Sequence, residues 1–557
     1  FYVDMIRKRA RPSYPPQRSS RRIHPLSSSS TAAASVTVFL AALSCSVSAF
    51  VRSSHARATP PSSRSAMFVP GSLARLRVFA NKSAPFRAVA SSSGSYVPEV
   101  PSLASDLYAS NSDTLAHMSR LSLAPMMEYT DRHMRHMIRL LSSRTLLYTE
   151  MVAANALAHQ YDALRGCPDG AFDDHMIRRF LSQQAGRDGH EYPGCVLQLG
   201  GSCPDALSAA ARISTVDALR DPDASAPLYR YTALNLNCGC PSEKVAGKGA
   251  FGASLMSDAD LVRSLCDAMA KGSEGTLPVT VKCRIGTDLQ FDGDVRPSDE
   301  AMYSSLCRFV ETVAAGGVVT DFQVHARLAV LGRSYSPAQN RNVPPLRHDI
   351  VRKVARRYPD LTFHLNGGVD ALDRAAGVLE EGDLRGVMVG RSLAADPWGW
   401  AGADRVLYGE AGAPVASRRR LLELYGKHAD REEELWDPAK IRRRILRPVQ
   451  ALFAGERHGK RFRIALDEIG GRPKQERAGK RPVDETPLSE LLLHAADSTM
   501  DEEVLNMSPE ESYEKKRQGA GEAASGVGSN RRTAAIAEWD RIRKSEPESA
   551  TACAEGR

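Results

Sequence analysis

The stretch LNLNCGCPSE (234–243) sets Asn235 and Asn237 two residues apart and then places two thiols, Cys238 and Cys240, on either side of a glycine. Alternate residues of a strand share a face, so both asparagines point the same way, and Cys-Gly-Cys-Pro ends the strand in a turn. A cysteine in such a turn can serve as acid, nucleophile or metal ligand. A structural zinc site wants about four ligands, and no second close cysteine or histidine pair accompanies Cys238 and Cys240, so no metal is expected. Other polar residues punctuate apolar runs in the same manner. Pro125, Met126 and Met127 end one run, Gln198 lies in another, and Lys282 and His325 close two more. Asn366-Gly367-Gly368 and Gly390-Arg391 follow the last two. A lysine and a histidine facing one cavity can hold a polar ring edge or stabilise negative charge developing on it. Glycine turns beside an arginine hold phosphate through backbone N–H groups and charge-assisted donation. Each residue alone has an ordinary role as strand amide, solvated charge, core imidazole or turn. Their joint placement at the ends of runs is what those roles leave unexplained.

The elements that must position them are eight short apolar runs: 121–126, 146–149, 196–199, 233–237, 279–282, 322–325, 361–365 and 386–389. Between them lie segments of helical spacing, such as 205–219 and 258–269, with Pro204 and Ser257 where helix-start residues belong. Eight strands alternating with helices predict an α/β fold, a (β/α)8 TIM barrel over 115–400, with its site at the C-terminal ends of the strands. An open doubly wound sheet is the alternative on pattern alone. From 401 to 469 helix formers dominate and basic residues are frequent, which predicts a small all-α domain. From 470 to 557 the composition is polar and poor in aromatics, and reads as a mostly disordered tail with helical pieces.

Together these segments carry a resemblance. APMMEYTDRHMR (124–135), LQLGG (197–201), LNLNCGCPSEKV (234–245), GAFGASLM (249–256), VTVKCRIG (279–286), VHAR (324–327), SYSPAQNRNVPPL (334–346), LNGGV (365–369) and GVMVGR (386–391) resemble, in order, the tRNA-dihydrouridine synthases, most closely the bacterial A-type subfamily. The resemblance runs from about 121 to 466. It implies an FMN-binding barrel followed by a helical tRNA-binding domain, with NADPH as reductant and reduction of D-loop uridines, those called 20 and 20a, to 5,6-dihydrouridine. It places FMN contacts on Pro125, Met126, Met127, Gln198, Lys282, His325, Asn366, Gly367, Gly368, Gly390 and Arg391. The catalytic acid falls on Cys240 and tRNA contacts on Asn237, Arg341, Lys460 and Arg463. A thiol, with an ordinary pKa of about 8.5, carries its proton near neutrality and can give it to C5 of the base. Basic residues including Arg442, Arg443, Arg444, Arg447 and Arg461 would hold the tRNA backbone. The chain departs from the A-type pattern at Ala338 and Leu328, where basic residues are usual. Two other readings of the residues stay open, an FMN barrel that reduces a free pyrimidine or enone and a tRNA-binding protein without turnover.

Composition agrees with a soluble globular protein, at 42% hydrophobic and 25% charged residues, and the net charge of +9 favours an acidic partner such as nucleic acid. Ten scattered cysteines form no disulfide framework. Between Asp4 and Glu99 there is no acidic side chain, which is the composition of a targeting segment over 1–98. Its apolar run 34–50 is short for a membrane span and suits a signal peptide, so no stable membrane association is expected. A basic, Ser-rich stretch follows Ala49-Phe50, an arrangement that resembles the bipartite presequence of algal secondary plastids. A mitochondrial presequence is the alternative.

Overall fold

This structure, a computed structural model, describes residues 103–159, 181, 194–219, 231–242, 251–332 and 335–523. The expected presequence, 1–98, lies outside the described residues. Among them one parallel sheet contains β1 (Leu121–Leu123), β2 (Leu147–Tyr148), β3 (Val152–Ala153), β4 (Cys195–Gly200), β5 (Ala233–Cys238), β6 (Val279–Arg284), β7 (Val319–His325), β8 (Thr362–Asn366) and β9 (Gly386–Val389). Hydrogen-bonded neighbours run β1, β9, β8, β7, β6, β5, β4, β2, with β3 also on β4. The two ends then meet. Leu123 N–H donates to Leu146 O at 2.8 Å, and Leu146 N–H to Leu121 O at 2.9 Å. Because β2 and β3 both lie along β4, they share the second of eight positions. The expected (β/α)8 barrel is present, and an order that steps round the ring without reversing excludes the doubly wound sheet.

Strand sequence explains which face is dry. Leu197, Leu199, Leu234, Leu236, Val281, Phe322, Val324, Phe363 and Leu365 are buried in one core with helix residues such as Val262, Leu265, Phe309, Val310 and Val354. The helices concerned include α1 (Arg132–Leu141), α2 (Pro204–Leu219), α3 (Ala259–Gly272), α4 (Asp299–Ala314), α5 (His348–Arg357) and α6 (Leu372–Glu380). Their starts are chemically marked. Asp131 accepts from His133 N–H and Met134 N–H, Asp258 from Leu261 N–H, and Ser298 from Ala301 N–H. The α3 cap is thus Asp258, one residue past the expected Ser257. Alternate strand residues turn the other way, into the barrel, where Ala124, Tyr148, Val196 and Met388 form a separate small cluster. The rest of that inner face is polar.

The helical region after the barrel includes α7 (Arg418–Leu435), α8 (Pro438–Leu446), α9 (Gly459–Arg477) and α10 (Leu488–Thr499). They surround Leu421, Leu422, Tyr425, Ile445, Phe462, Leu466 and Leu492, all buried, and Tyr425 Oη donates to Ile445 O at 2.6 Å. The expected break at 470 is corrected here. Residue 470 lies inside α9, and the domain continues through α10 to a further helix, Pro509–Ala523. The polar average of this region conceals Leu488, Leu491, Leu492, Ala495 and Ala496, an apolar stripe at helical spacing that is buried against the domain. Residues 524–557 lie outside the described residues. No described helix is long and apolar enough to cross a membrane.

Packing of α10 has a measurable consequence. Leu492→Ala should cost about 3 kcal/mol, the usual scale for emptying a buried leucine site, and move the urea midpoint of the full chain down. An unchanged midpoint would mean that α10 does not pack.

Candidate active site

Two polar tiers line the inside of the barrel, because each strand offers it every second residue. The lower tier is closed on itself. Asn235 accepts from Gln198 Nε2 at 2.8 Å, and its own Nδ2 donates to Thr280 Oγ1 and Gln323 Oε1, each at 2.8 Å. Gln323 Nε2 donates in turn to Asp321, whose other oxygen lies 3.0 Å from His364 Nε2. Buried polar groups are tolerated when they are paired, and this tier pairs them across β4 to β8. Two residues further along, Asn237, Lys282, His325 and Asn366 form the upper tier at the mouth, and Arg284 stands two residues beyond Lys282.

The loop after β5 is shaped by that tier. Asn237 Oδ1 accepts from Gly239 N–H at 3.0 Å and Cys240 N–H at 3.1 Å, while its Nδ2 donates to Met151 Sδ at 2.9 Å. Arg284 Nε donates to Gly239 O at 2.9 Å, and Ala253 N–H donates to Cys240 O at 2.9 Å. The two thiols therefore separate. Cys240 is half-buried at the rim, whereas Cys238 points away from the cavity and is wholly buried, and burial pushes its thiol far above the ordinary range.

The mouth is strongly cationic. Desolvation, then the neighbouring Arg284, lower Lys282 to about 8. Desolvation also brings Arg284 down to about 9 and Arg327 to about 10, and it lowers Arg391, with Arg341 in the field of both Arg284 and Arg391. His325 is held neutral by burial first and then by Arg284 and Lys282. No carboxylate of the described residues figures among these causes, and such a cluster has the charge of an anion-binding site. Glycines bring backbone close to it. Gly367 and Gly368 take φ of +103° and +82°, and a Cβ on Gly367 would come within 2.9 Å of the His325 ring. A Cβ on Gly390 would meet Met126 Sδ at 2.9 Å, which brings the turns after β1 and β9 together.

The sequence-expected residues thus divide. Pro125, Met126, Lys282, His325, Asn366, Gly367, Gly368, Gly390 and Arg391 surround one mouth, with Met127 exposed at its edge and Cys240 on its rim. Asn366 Nδ2 donates to Met388 O at 2.8 Å, and Arg391 Nη1 to Asn342 Oδ1 at 2.9 Å. Gln198 sits deeper, its amide NH2 committed to Asn235. Asn237, expected at tRNA, has both ends of its amide engaged inside the loop it shapes. Arg341 is exposed, on a short helix Gln339–Asn342 beside Arg391. Lys460 and Arg463 line a separate cavity of about 580 Å³ between the barrel and the helical domain.

Arg284 is the residue that sequence reasoning missed. Besides Gly239 O it reaches Leu328 O at 3.1 Å and Asn340 O at 3.0 Å, so one buried guanidinium ties the Cys240 loop to the loop that carries Arg341. A signal was present, since it stands two residues after Lys282 on the same strand face. Arg442 was expected to face RNA but is buried, its Nη2 donating to Glu433 Oε2 at 2.7 Å.

The sequence model of the family described as Dihydrouridine synthase (Dus) matches residues 122–485, the barrel and the helices after it through α9. The chain belongs to the dihydrouridine synthase family. Three bacterial relatives carry the name tRNA-dihydrouridine(20/20a) synthase. That of Xanthomonas axonopodis pv. citri (strain 306) is 37% identical over 363 residues, covering 65% of this chain and 92% of the relative. That of Pseudomonas putida is 38% identical over 351 residues, 62% of this chain and 88% of its own. The Escherichia coli (strain K12) protein is 36% identical over 352 residues, 63% and 86% respectively. The family is one of flavin-dependent oxidoreductases acting on tRNA uridine, and the mouth fits a flavin. Its cationic cluster suits a phosphate, and its glycine turns admit a ligand close to backbone.

Metal ligands occur away from the flavin mouth. Among the described residues, His133, His428 and Glu432 bring ligand atoms within 4.8 Å of one another between α1 and α7. Arg132 Nε already donates to Glu432 at 2.9 Å, and His133 Nδ1 lies 3.0 Å from His428 Nε2, so the group serves as a hydrogen-bonded joint between the domains.

Lys282 gives the mouth a pH-dependent charge. Lowered to about 8, it is charged below that value and loses its proton above it, so an anionic flavin edge or phosphate is held best below pH 8. Flavin affinity, read by fluorescence quenching, should be level near pH 7 and fall as pH rises through about 8. Lys282→Met should bind more weakly throughout and lack that fall. A wild-type profile as flat as the variant's would overturn this role.

Proposed function

We propose that this protein reduces the C5=C6 bond of D-loop uridines in tRNA, those called 20 and 20a, to 5,6-dihydrouridine, with FMN as its flavin and NADPH as reductant. The observation that carries the reading is Cys240, fixed on the rim by Asn237 and Arg284 beside a cationic, glycine-walled mouth. Bound FMN, reduced by NADPH, supplies the hydride that C6 receives. Arg391 and the backbone at Gly367, Gly368 and Gly390 would hold its phosphate, and Lys282 and His325 its ring edge. Cys240 gives its proton to C5 from the rim, which balances the two-electron reduction. His325, neutral by burial, donates or accepts a hydrogen bond and adds no second acid.

Bringing uridine to the mouth means unstacking it, at a cost of a few kcal/mol. Contacts to phosphates offset that cost. The exposed Arg443, Arg444, Arg447, Lys460, Arg461 and Arg463 stand on the helical domain for this purpose. A protein that handled only a free pyrimidine would have no use for them.

Unmodified tRNA incubated with NADPH and protein should gain dihydrouridine. Cys240→Ala should slow this by about 10² or more, the scale of a lost general acid, while retaining yellow flavin absorbance. Full activity in that variant would remove Cys240 as the acid, and activity on free uridine alone would remove tRNA as substrate.

A plastid location is also proposed, supported by the acid-free composition of 5–98 and the Ala49-Phe50 junction. Residues 1–98 fused to a fluorescent protein should travel to plastids in an alga with secondary plastids. Delivery to mitochondria would favour the alternative presequence.

A further inference from the structure

The cavity between the barrel and the helical domain is not the flavin mouth, yet the chain leaving the mouth after β1 and after β9 reaches it. One wall is Tyr129, four residues past Pro125 on the turn after β1, and another is Ala394, four past Gly390 on the turn after β9. Met134, Pro448 and Phe453 give it an apolar floor, and Arg447, Lys460 and Arg463 stand round it. Arg447 Nη1 donates to Glu128 O, which fastens the helical domain to the turn that carries Tyr129. Glu456 also borders the cavity, but its carboxylate is paired with Arg418 Nη2 at 2.7 Å. Tyr129 is 57% exposed, so its ring is open to a base laid against it.

An aromatic ring, an apolar floor and a cationic rim together make the chemistry of a nucleotide site. The ring and floor stack a base of any identity, and the cations take the phosphate. At about 580 Å³ the cavity has room for one nucleotide, within the range of small-ligand sites. We propose that it receives the nucleotide adjacent to the target uridine, its base against Tyr129 and its phosphate among Arg447, Lys460 and Arg463. This rests on the tRNA reading above and adds to it. Two adjacent uridines can be served in turn by one mouth only if the idle neighbour has somewhere to go, and a sequence-tolerant stacking pocket accepts either one.

The test pairs protein and RNA changes, with affinity for full-length unmodified tRNA as the readout and dihydrouridine formation measured in parallel. Removing the base from one of the two nucleotides flanking the target, as an abasic site, should weaken wild-type binding about tenfold. Tyr129→Ala should lose a similar factor on intact tRNA and nothing further on that abasic tRNA. Tyr129→Phe should behave as wild type, and flavin absorbance retained by Tyr129→Ala excludes misfolding. Losses that multiply on both abasic tRNAs would overturn the pocket. Coupled binding without any dihydrouridine would instead retain the pocket and overturn the proposed reaction.

Discussion

Asn235 is the knot on which the barrel's interior depends. A parallel barrel turns alternate side chains inward, and here the inward positions are mainly amides, hydroxyls and charges rather than the branched apolar residues that usually fill such a core. Each would cost free energy if left unpaired in the dry interior. Asn235 prevents this by joining Gln198, Thr280 and Gln323 at once, and Gln323 passes the chain on to Asp321 and His364. With the lower tier satisfied internally, the upper tier is free to face the mouth. Registration between the strands then carries the same order upward, from Asn235 to Asn237 and from Thr280 to Lys282.

The upper tier is built under electrostatic tension. Burial depresses Lys282, Arg284, Arg327 and Arg391, and these groups and Arg341 also lie in one another's fields, with no carboxylate of the described residues among the causes. Such a cluster is held together by the backbone. Arg284 donates its hydrogen bonds to three carbonyl oxygens rather than to an acid, so it orders two loops while keeping its positive charge. The positions of Cys240 and Arg341 are thereby linked through a single side chain.

Attachment of the helical domain completes the surface. Arg132 with Glu432, the His133–His428 pair, and Arg418, which lies over Trp398 at 4.8 Å and donates to Val504 O at 3.1 Å, join elements far apart in sequence. These contacts bring Arg447, Lys460 and Arg463 over the turn after β1. A basic surface that spans both domains results from that docking, not from either domain alone.

Much of this was legible in the chain. The period-two pattern of LNLN, VTVK and FQVH identifies inward-facing residues, the eight runs specify the barrel, and Cys-Gly-Cys-Pro marks where a thiol leaves a strand. These are local properties, set by backbone period and turn chemistry. What the chain by itself could not determine are relations between distant segments. Asn237 reads as a substrate contact until its amide is seen closing the loop around Cys240, and Arg284 reads as a strand charge until three carbonyls converge on it. α10 vanishes in a polar average because its stripe matters only against the surface it covers. Tyr129 and Arg447 share a cavity although 318 residues separate them. Periodicity and turn chemistry act over a few residues and are written in order along the sequence. Convergence depends on how the elements pack, and only the tertiary structure decides it.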